Sequence, residues 1–271
     1  MTTGALAPAS YYERTGEHHF KPTAHAGGAW SADEQHFSPL SGLVAHAVEQ
    51  HLAARPAAAH GPLALSRISY DILGRIALDE CAVTVETLRP GRTIELLEAT
   101  VTIGGRAVVR ARAWLLAARD TSAVADSPVE PLPAPAEFDR WEMGAAWNGG
   151  YVSSIEVRRT PTVRRGRATA WLSTPLALVA GEEIGPLASY VTLVDTANGI
   201  AVQQDPGAWM FPNLDLTIHL HRQPRGPWTG LDTTVVFGPS GQGLTSSVLH
   251  DVHGPVGRAE QILTVRPQPG G

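Results

Sequence analysis

Charge is scarce in this chain. Of its 271 residues 17% are Asp, Glu, Lys or Arg, and the formal net charge is -5. Basic residues nowhere gather into a stripe, so no nucleic-acid partner is expected. There is one cysteine, Cys81, which excludes an internal disulfide. It sits in a strand-like run with Ala82 and Val83 and reads as a small buried apolar residue rather than a nucleophile. No run approaches the roughly 18 apolar residues of a transmembrane helix. The opening MTTGALAPASYYERTGEHHF has neither a basic start nor an apolar core of the secretory kind, so a cytoplasmic location is expected.

What is present is apolar material, 43% of the chain, enough for two domains of ordinary size. The chain also says the same thing twice. SPLSGLVAHAVEQH, with its Pro39-Leu40-Ser41 start, is matched by GPLASYVTLVDTANGIA from Pro186, 147 residues on. GGRAVVRARAWLL around Arg110-Ala111 is matched by GPVGRAEQILTV around Arg258-Ala259, 148 residues on. Two matches in one order, at offsets of 147 and 148 residues, imply a duplicated domain. Between the copies, DTSAVADSPVEPLPAP has no apolar period, and its prolines suit an extended connector. The expected organisation is a first domain over 15–119, a linker over 120–139 and a second domain over 140–267, with a frayed tail.

Within the first copy a helix runs from Pro39 through His46, Val48 and Leu52 to about Arg55-Pro56; proline is favourable in a first turn, where its missing N–H has no partner anyway. Four strands follow: LALSRISYDIL, CAVTVETLRPG, TIELLEATVTIGG and RAVVRARAWLL. Turn signals at Pro90-Gly91 and Gly104-Gly105 make them an antiparallel meander. The second copy repeats this with GGYVSSIEVRR, GRATAWLS, LDLTIHLHR, GLDTTVVFG, GLTSSVLHD and RAEQILTV, its helix falling before LDLTIHLHR. The fold class is α+β, a long helix wrapped by an antiparallel sheet, twice over. The two sheets are expected to join into one.

This pattern resembles the hotdog fold, and two copies on one chain resemble the double-hotdog acyl-CoA thioesterases. GPLASYVTLVDTANG is similar to the helix signature of hotdog thioesterases. VETLRPGRTIELLEATVTIGGRAVVRARAWLL resembles the corresponding strands of the type II, long-chain enzymes. NLDLTIHLHRQPRGPW with GQGLTSSVLHDVHGPVGRAEQ resembles the C-terminal half of an actinobacterial thioesterase-like branch. The resemblance implies an acyl-CoA or acyl-carrier-protein substrate, hydrolysis without metal or organic cofactor, and a role in lipid metabolism. Homo-oligomers through the hotdog sheets stay open.

Thioester hydrolysis needs a positioned water, a group to deprotonate it, and donors for the developing oxyanion, which a helix start can supply. Asymmetry between the copies locates these groups. Asp195 answers Val48, Asp215 answers Ser66 or Arg67, Gln261 answers Ala113, and Ser240 falls near Pro90. The long-chain enzymes are implied to hold the water with an Asp, a Ser or Thr and a Gln, which match Asp215, Ser240 and Gln261. The phenylacetyl-CoA type implies the helix carboxylate, Asp195. The expectation here is that Asp215 acts with Gln261 beside it, in the second copy alone, while Asp195 binds backbone near its helix. Strand alternation puts Asp215, Thr217, His219 and His221 on one face and Leu216, Ile218 and Leu220 on the other, against the helix. His219 and His221 lack further ligands at suggestive spacing, so they read as a polar strand face rather than a metal site.

Trp209, Met210 and Phe211 are candidate acyl-pocket residues. Phe37 stands where the family usually has glycine before the first helix, and is expected to cap or narrow the acyl channel. Two other readings are kept. A hotdog dehydratase or hydratase needs a His paired with an Asp or Glu, and the usual dehydratase string is missing. A non-catalytic acyl-CoA binding module is the third.

Overall fold

The computed structural model describes residues 9–28, 30–55, 62–161 and 164–269; Pro56 and the last two residues, parts of the helix-end and tail expectations, lie outside them. Helix α1 (Phe37–Ala53) starts where the extended His36 accepts the Ser38 N–H on its Nδ1, and Pro39 occupies the first turn. Every residue from Phe37 to His46 is buried. A helix buried all round runs through the middle of a protein rather than over its surface.

The first copy contributes β1 (Ser10–Arg14), β2 (His19–Pro22), β3 (Leu63–Ile72), β4 (Cys81–Arg89), β5 (Ile94–Ile103) and β6 (Arg106–Ala117). Cys81 is buried in β4, and burial pushes its thiol up to about 12. The second copy opens with β7 (Asp139–Arg140), then α2 (Gly150–Ser154), β8 (Glu156–Arg159), β9 (Arg167–Ser173) and β10 (Ala177–Val179). The segment expected as one strand, GGYVSSIEVRR, is therefore half helix. Gly149, at φ +126°, turns the chain, and the Tyr151 N–H donates to the Gly27 carbonyl instead of a ladder partner.

The second helix is also broken, into α3 (Pro186–Val191), a single 3₁₀ turn at Val194–Thr196, and α4 (Ala197–Ile200). Thr192 bonds its hydroxyl back to the Ala188 carbonyl at 2.8 Å, alongside its own N–H at 3.1 Å, back-bonding of the kind that bends a helix. The break places Asp195 in the tight turn. Then come β11 (Trp209–Met210), β12 (Asp215–Leu220), β13 (Thr229–Phe237), β14 (Gln242–Asp251), β15 (Gly254–Thr264) and β16 (Arg266–Pro267).

Among the described residues, fourteen strands form one sheet in the order β10-β1-β2-β4-β5-β6-β3-β12-β15-β14-β13-β9-β8-β7. The two halves are mirror successions meeting at β3 and β12, where Ile68 pairs with Ile218 and Asp71 with Asp215. The single sheet is the expected one. Among the described strands only β10 runs parallel to its neighbour, β1, and it carries the second copy onto the edge of the first. The sheet curls so far that Tyr11 Oη lies 2.8 Å from Ser154 Oγ and 3.0 Å from Thr174 Oγ1.

Inside the curl α1 lies against α3. Ser41 donates to the Val191 carbonyl, and a Cβ added at Gly42 would overlap the Thr192 hydroxyl and fall 2.9 Å from Thr192 Cβ. A polar clasp spans the copies at one end: Glu182 accepts from Arg14 Nε at 2.5 Å and Gln50 Nε2 at 3.0 Å, with His46 Nε2 at 2.9 Å. Hydrogen bonding by Arg14 holds the Glu182 carboxyl down at about 2.

Candidate active site

Alternation in β12 is as expected. Leu216 and Ile218 are fully buried toward the helices, and Asp215, Thr217 and His219 face outward, His219 between Arg67 and Arg258 in the ladder. In β15 the inward set is Ala259, Gln261 and Leu263. Asp215 and Gln261 therefore lie on opposite faces of the sheet, and the neighbours expected from sequence are not brought together. Asp215 Oδ1 accepts the Ile262 N–H at 2.6 Å. Partial burial raises its carboxyl, helped by Asp71 across the seam and by Glu260. Ser240 sits in the exposed β13–β14 turn and donates to Gln242 Oε1 at 2.9 Å. It reaches neither aspartate.

Gln261 instead meets Asp195. Its Nε2 donates to Asp195 Oδ1 at 2.7 Å, and Asn213 Nδ2 donates to the same oxygen at 2.8 Å. The partners of Asp195 are thus side chains, not the backbone groups expected. Nothing in the sequence marks Asn213 as a partner of Asp195, for a specific reason. Counting back from outward-facing Asp215 puts Asn213 outward too. The register slips by one residue, however: Asn213 bridges Leu263, while Ile218 pairs with Ala259. A one-residue slip reverses the facing of a side chain.

Asp195 is 4% exposed. Burial pushes its carboxyl up to about 7, against the lowering effect of the Asn213 and Gln261 hydrogen bonds. Its second oxygen, Oδ2, makes no hydrogen bond among the described residues and lies 3.7 Å from His36 Nδ1. That approach is not an ion pair. His36 Nδ1 accepts the Ser38 N–H at 3.1 Å, which assigns the ring proton to Nε2, and burial lowers the imidazole to about 3. The ring stacks on Tyr151 with centroids 4.2 Å apart. Tyr151 Oη in turn stands 2.6 Å from Thr196 Oγ1, next to the base of the turn carrying Asp195.

A cavity of about 390 Å³ opens beside this carboxylate, lined by His36, Phe37 and Ile72 from the first copy and by Asp195, Asn213 and Leu214 from the second. Both copies build it. The start of α1 faces it: Ser38 is capped by His36, Pro39 has no N–H, and Phe37 N–H has no partner among the described residues. Phe37 lines the cavity and packs edge-on against Tyr70. Of the other acyl-pocket candidates, Trp209 and Met210 do not line it; they form a two-stranded ribbon with Arg266 and Pro267. Phe211 is fully buried behind it, packed with Trp147 and with Trp30, which does line the cavity. At the repeat offset, Asp195, Asn213 and Gln261 have Val48, Leu65 and Ala113 as their copy-one counterparts, all buried and apolar.

Comparison with known proteins bears on both halves. A family model described as the acyl-CoA thioesterase N-terminal domain matches residues 26–116, and one described as the C-terminal domain matches residues 125–265. No curated protein matches the chain in sequence. Among solved structures, a protein with a hotdog fold from Alicyclobacillus acidocaldarius superposes with a TM-score of 0.71 at 13% identity, covering 97% of each chain. An acyl-CoA thioesterase II from Mycobacterium marinum superposes with a TM-score of 0.65 at 14% identity, covering 96% of this chain and 97% of its own. The dehydratase domain of a curacin polyketide synthase module gives 0.54 at 11% identity, covering 97% of each chain. At such identities these likenesses speak for the fold, which is a double hotdog of class α+β.

Proposed function

Because the chain belongs to the acyl-CoA thioesterase family and is a thioester hydrolase, we propose that it cleaves an acyl-CoA to carboxylic acid and free CoA with a water that Asp195 orients and deprotonates. One observation carries this reading. The Asp195 carboxylate is held on Oδ1 by Gln261 and Asn213 and, among the described residues, is left without a hydrogen bond on Oδ2 beside a cavity. A water on Oδ2 attacks the thioester carbonyl as its proton passes to Asp195. The new C–O bond forms, the C–S bond breaks, and the proton goes on to the departing sulfur. The Phe37 N–H, at the positive end of α1, meets the oxyanion. A carboxyl near 7 is matched to proton transfer at neutral pH.

Two expected outcomes follow from the reading. Since the ionised carboxylate is the active form, kcat/KM rises with pH through about 7 and levels above it. This is read from free thiol released from short, long, branched and aromatic acyl-CoAs, with an acyl-carrier protein alongside. A profile flat across neutrality would remove Asp195 as the base. Phe37→Ala widens the cavity wall and shifts kcat/KM toward branched and aromatic acyl groups by about tenfold, the scale of a few methylenes in a pocket. Unchanged relative rates would show that the acyl group lies elsewhere.

One observation favours the dehydratase reading: an imidazole 3.7 Å from the carboxylate, one residue from each copy. Its chemistry argues against a base. The Nδ1 lone pair already accepts the Ser38 N–H, and burial keeps the ring at about 3. Incubation with a 3-hydroxyacyl thioester is expected to release thiol and form no unsaturated thioester. Formation of the double bond would reverse the assignment.

A further inference from the structure

Two buried polar atoms near Asp195 have no partner among the described residues, and they belong to facing residues. They are Gln261 Oε1 and Thr245 Oγ1. Thr245 and Gln261 are direct partners in the β14–β15 ladder, both on the helix-facing side, at 0% and 1% exposure. Directly opposed residues carry their Cβ atoms about 5 Å apart, so rotation about the Thr245 Cα–Cβ bond turns the hydroxyl toward the amide. One atom is an acceptor and the other carries a donor. No competitor takes the hydroxyl along this row: Val235, the other partner of Thr245, is apolar, and the next pair of hydroxyls, Thr233 and Ser247, are already bonded to each other at 2.8 Å.

We propose that Thr245 is a positioning residue, its hydroxyl donating to Gln261 Oε1 and so fixing the amide with Nε2 toward Asp195. The amide has two orientations. The flipped one would set Oε1 against Asp195 Oδ1, two acceptors without a proton between them. A donor on the far side of Gln261 excludes it, and the bond from Gln261 then favours the ionised form of Asp195. Thr245 touches neither water nor substrate in this account; it acts through Gln261.

This inference rests on Asp195 as the base, and the experiment separates the two. Thr245→Val keeps the shape and removes the hydroxyl; Thr245→Ser keeps the hydroxyl. Thr245→Val is expected to lower kcat about tenfold, the loss of one modest hydrogen bond in the transition state, with KM nearly constant. The rising limb of the pH profile should move upward, because the ionised carboxylate loses support. Thr245→Ser should restore both, and in a Gln261→Ala background Thr245→Val should add nothing. A Val variant with kcat and limb unmoved overturns the proposal, as do equal losses in Val and Ser or a full loss retained in the Gln261→Ala background. Thr245→Ala, read in the same way, serves if the Val variant does not fold. Failure of the Asp195 reading looks different: Asp195→Asn would keep wild-type turnover.

Discussion

Asp195→Asn is expected to lower kcat by at least about 10²-fold, the low end for a general base, in a protein that is at least as stable as the parent. The amide oxygen of Asn still accepts from Gln261 and Asn213, so the local network survives. Stability follows from the carboxyl's raised value. In the unfolded chain it titrates near 3.8, and in the folded protein near 7. Between these values the folded state keeps a proton that the unfolded state has lost, so stability falls as pH rises, and the cost is complete above about 7. The gain in Tm from Asp195→Asn should therefore be largest on the alkaline side of neutrality and small near pH 4. Asp215→Asn is the control: its carboxylate faces outward on the N–H of Ile262, and kcat should change little. Loss of turnover in Asp215→Asn, with Asp195→Asn active, would return the base to the outer face of the sheet.

The largest expected loss of stability comes from a residue that takes no part in the chemistry. Gly42 lets α1 touch α3, where a Cβ would overlap the Thr192 hydroxyl. Glycine inside a helix costs roughly 1 kcal/mol relative to alanine, which by itself predicts that any side chain here would help. The overlap dominates. Thr192 cannot swing aside cheaply, because its hydroxyl is bonded to the Ala188 carbonyl at 2.8 Å. Gly42→Val is expected to destabilise by about 3 kcal/mol, the upper range for overpacking a filled core, seen as a clear fall in Tm. Adding Thr192→Ala should recover part of that loss, since residues in contact do not act additively. Additive losses in the double variant would mean that the helices do not meet there. Because the cavity is built from both copies, the helix separation also sets where His36 and Phe37 lie relative to Asp195. The folded fraction of Gly42→Val should accordingly show reduced kcat.

Much of the architecture is legible in the sequence alone. The repeated segments at a constant offset announce two copies, and the copies form one fourteen-stranded sheet whose halves are mirror successions. Alternation in LDLTIHLHR correctly sends Leu216 and Ile218 inward and Asp215 outward. The contrast between Gln261 and Ala113 singled out a polar side chain that proves to be buried against a carboxylate. The facing in β12 follows from local periodicity, which the chain carries in each short segment, while the two copies and the Gln261–Ala113 contrast follow from internal repetition.

What only the tertiary structure decided is which of these residues meet. Periodicity tells which face of its own strand a side chain takes; it does not tell the pairing register. Register put Gln261 on the face opposite Asp215, and a one-residue slip turned Asn213 inward. The placing of the 3₁₀ turn with Asp195 beside α1 of the other copy, where Thr192 meets Gly42, depends on how the two copies pack. So does the contribution of His36 and Phe37, residues about 160 positions from Asp195 in sequence. Their approach follows from burying two helices inside one curled sheet, a long-range constraint that no short segment encodes.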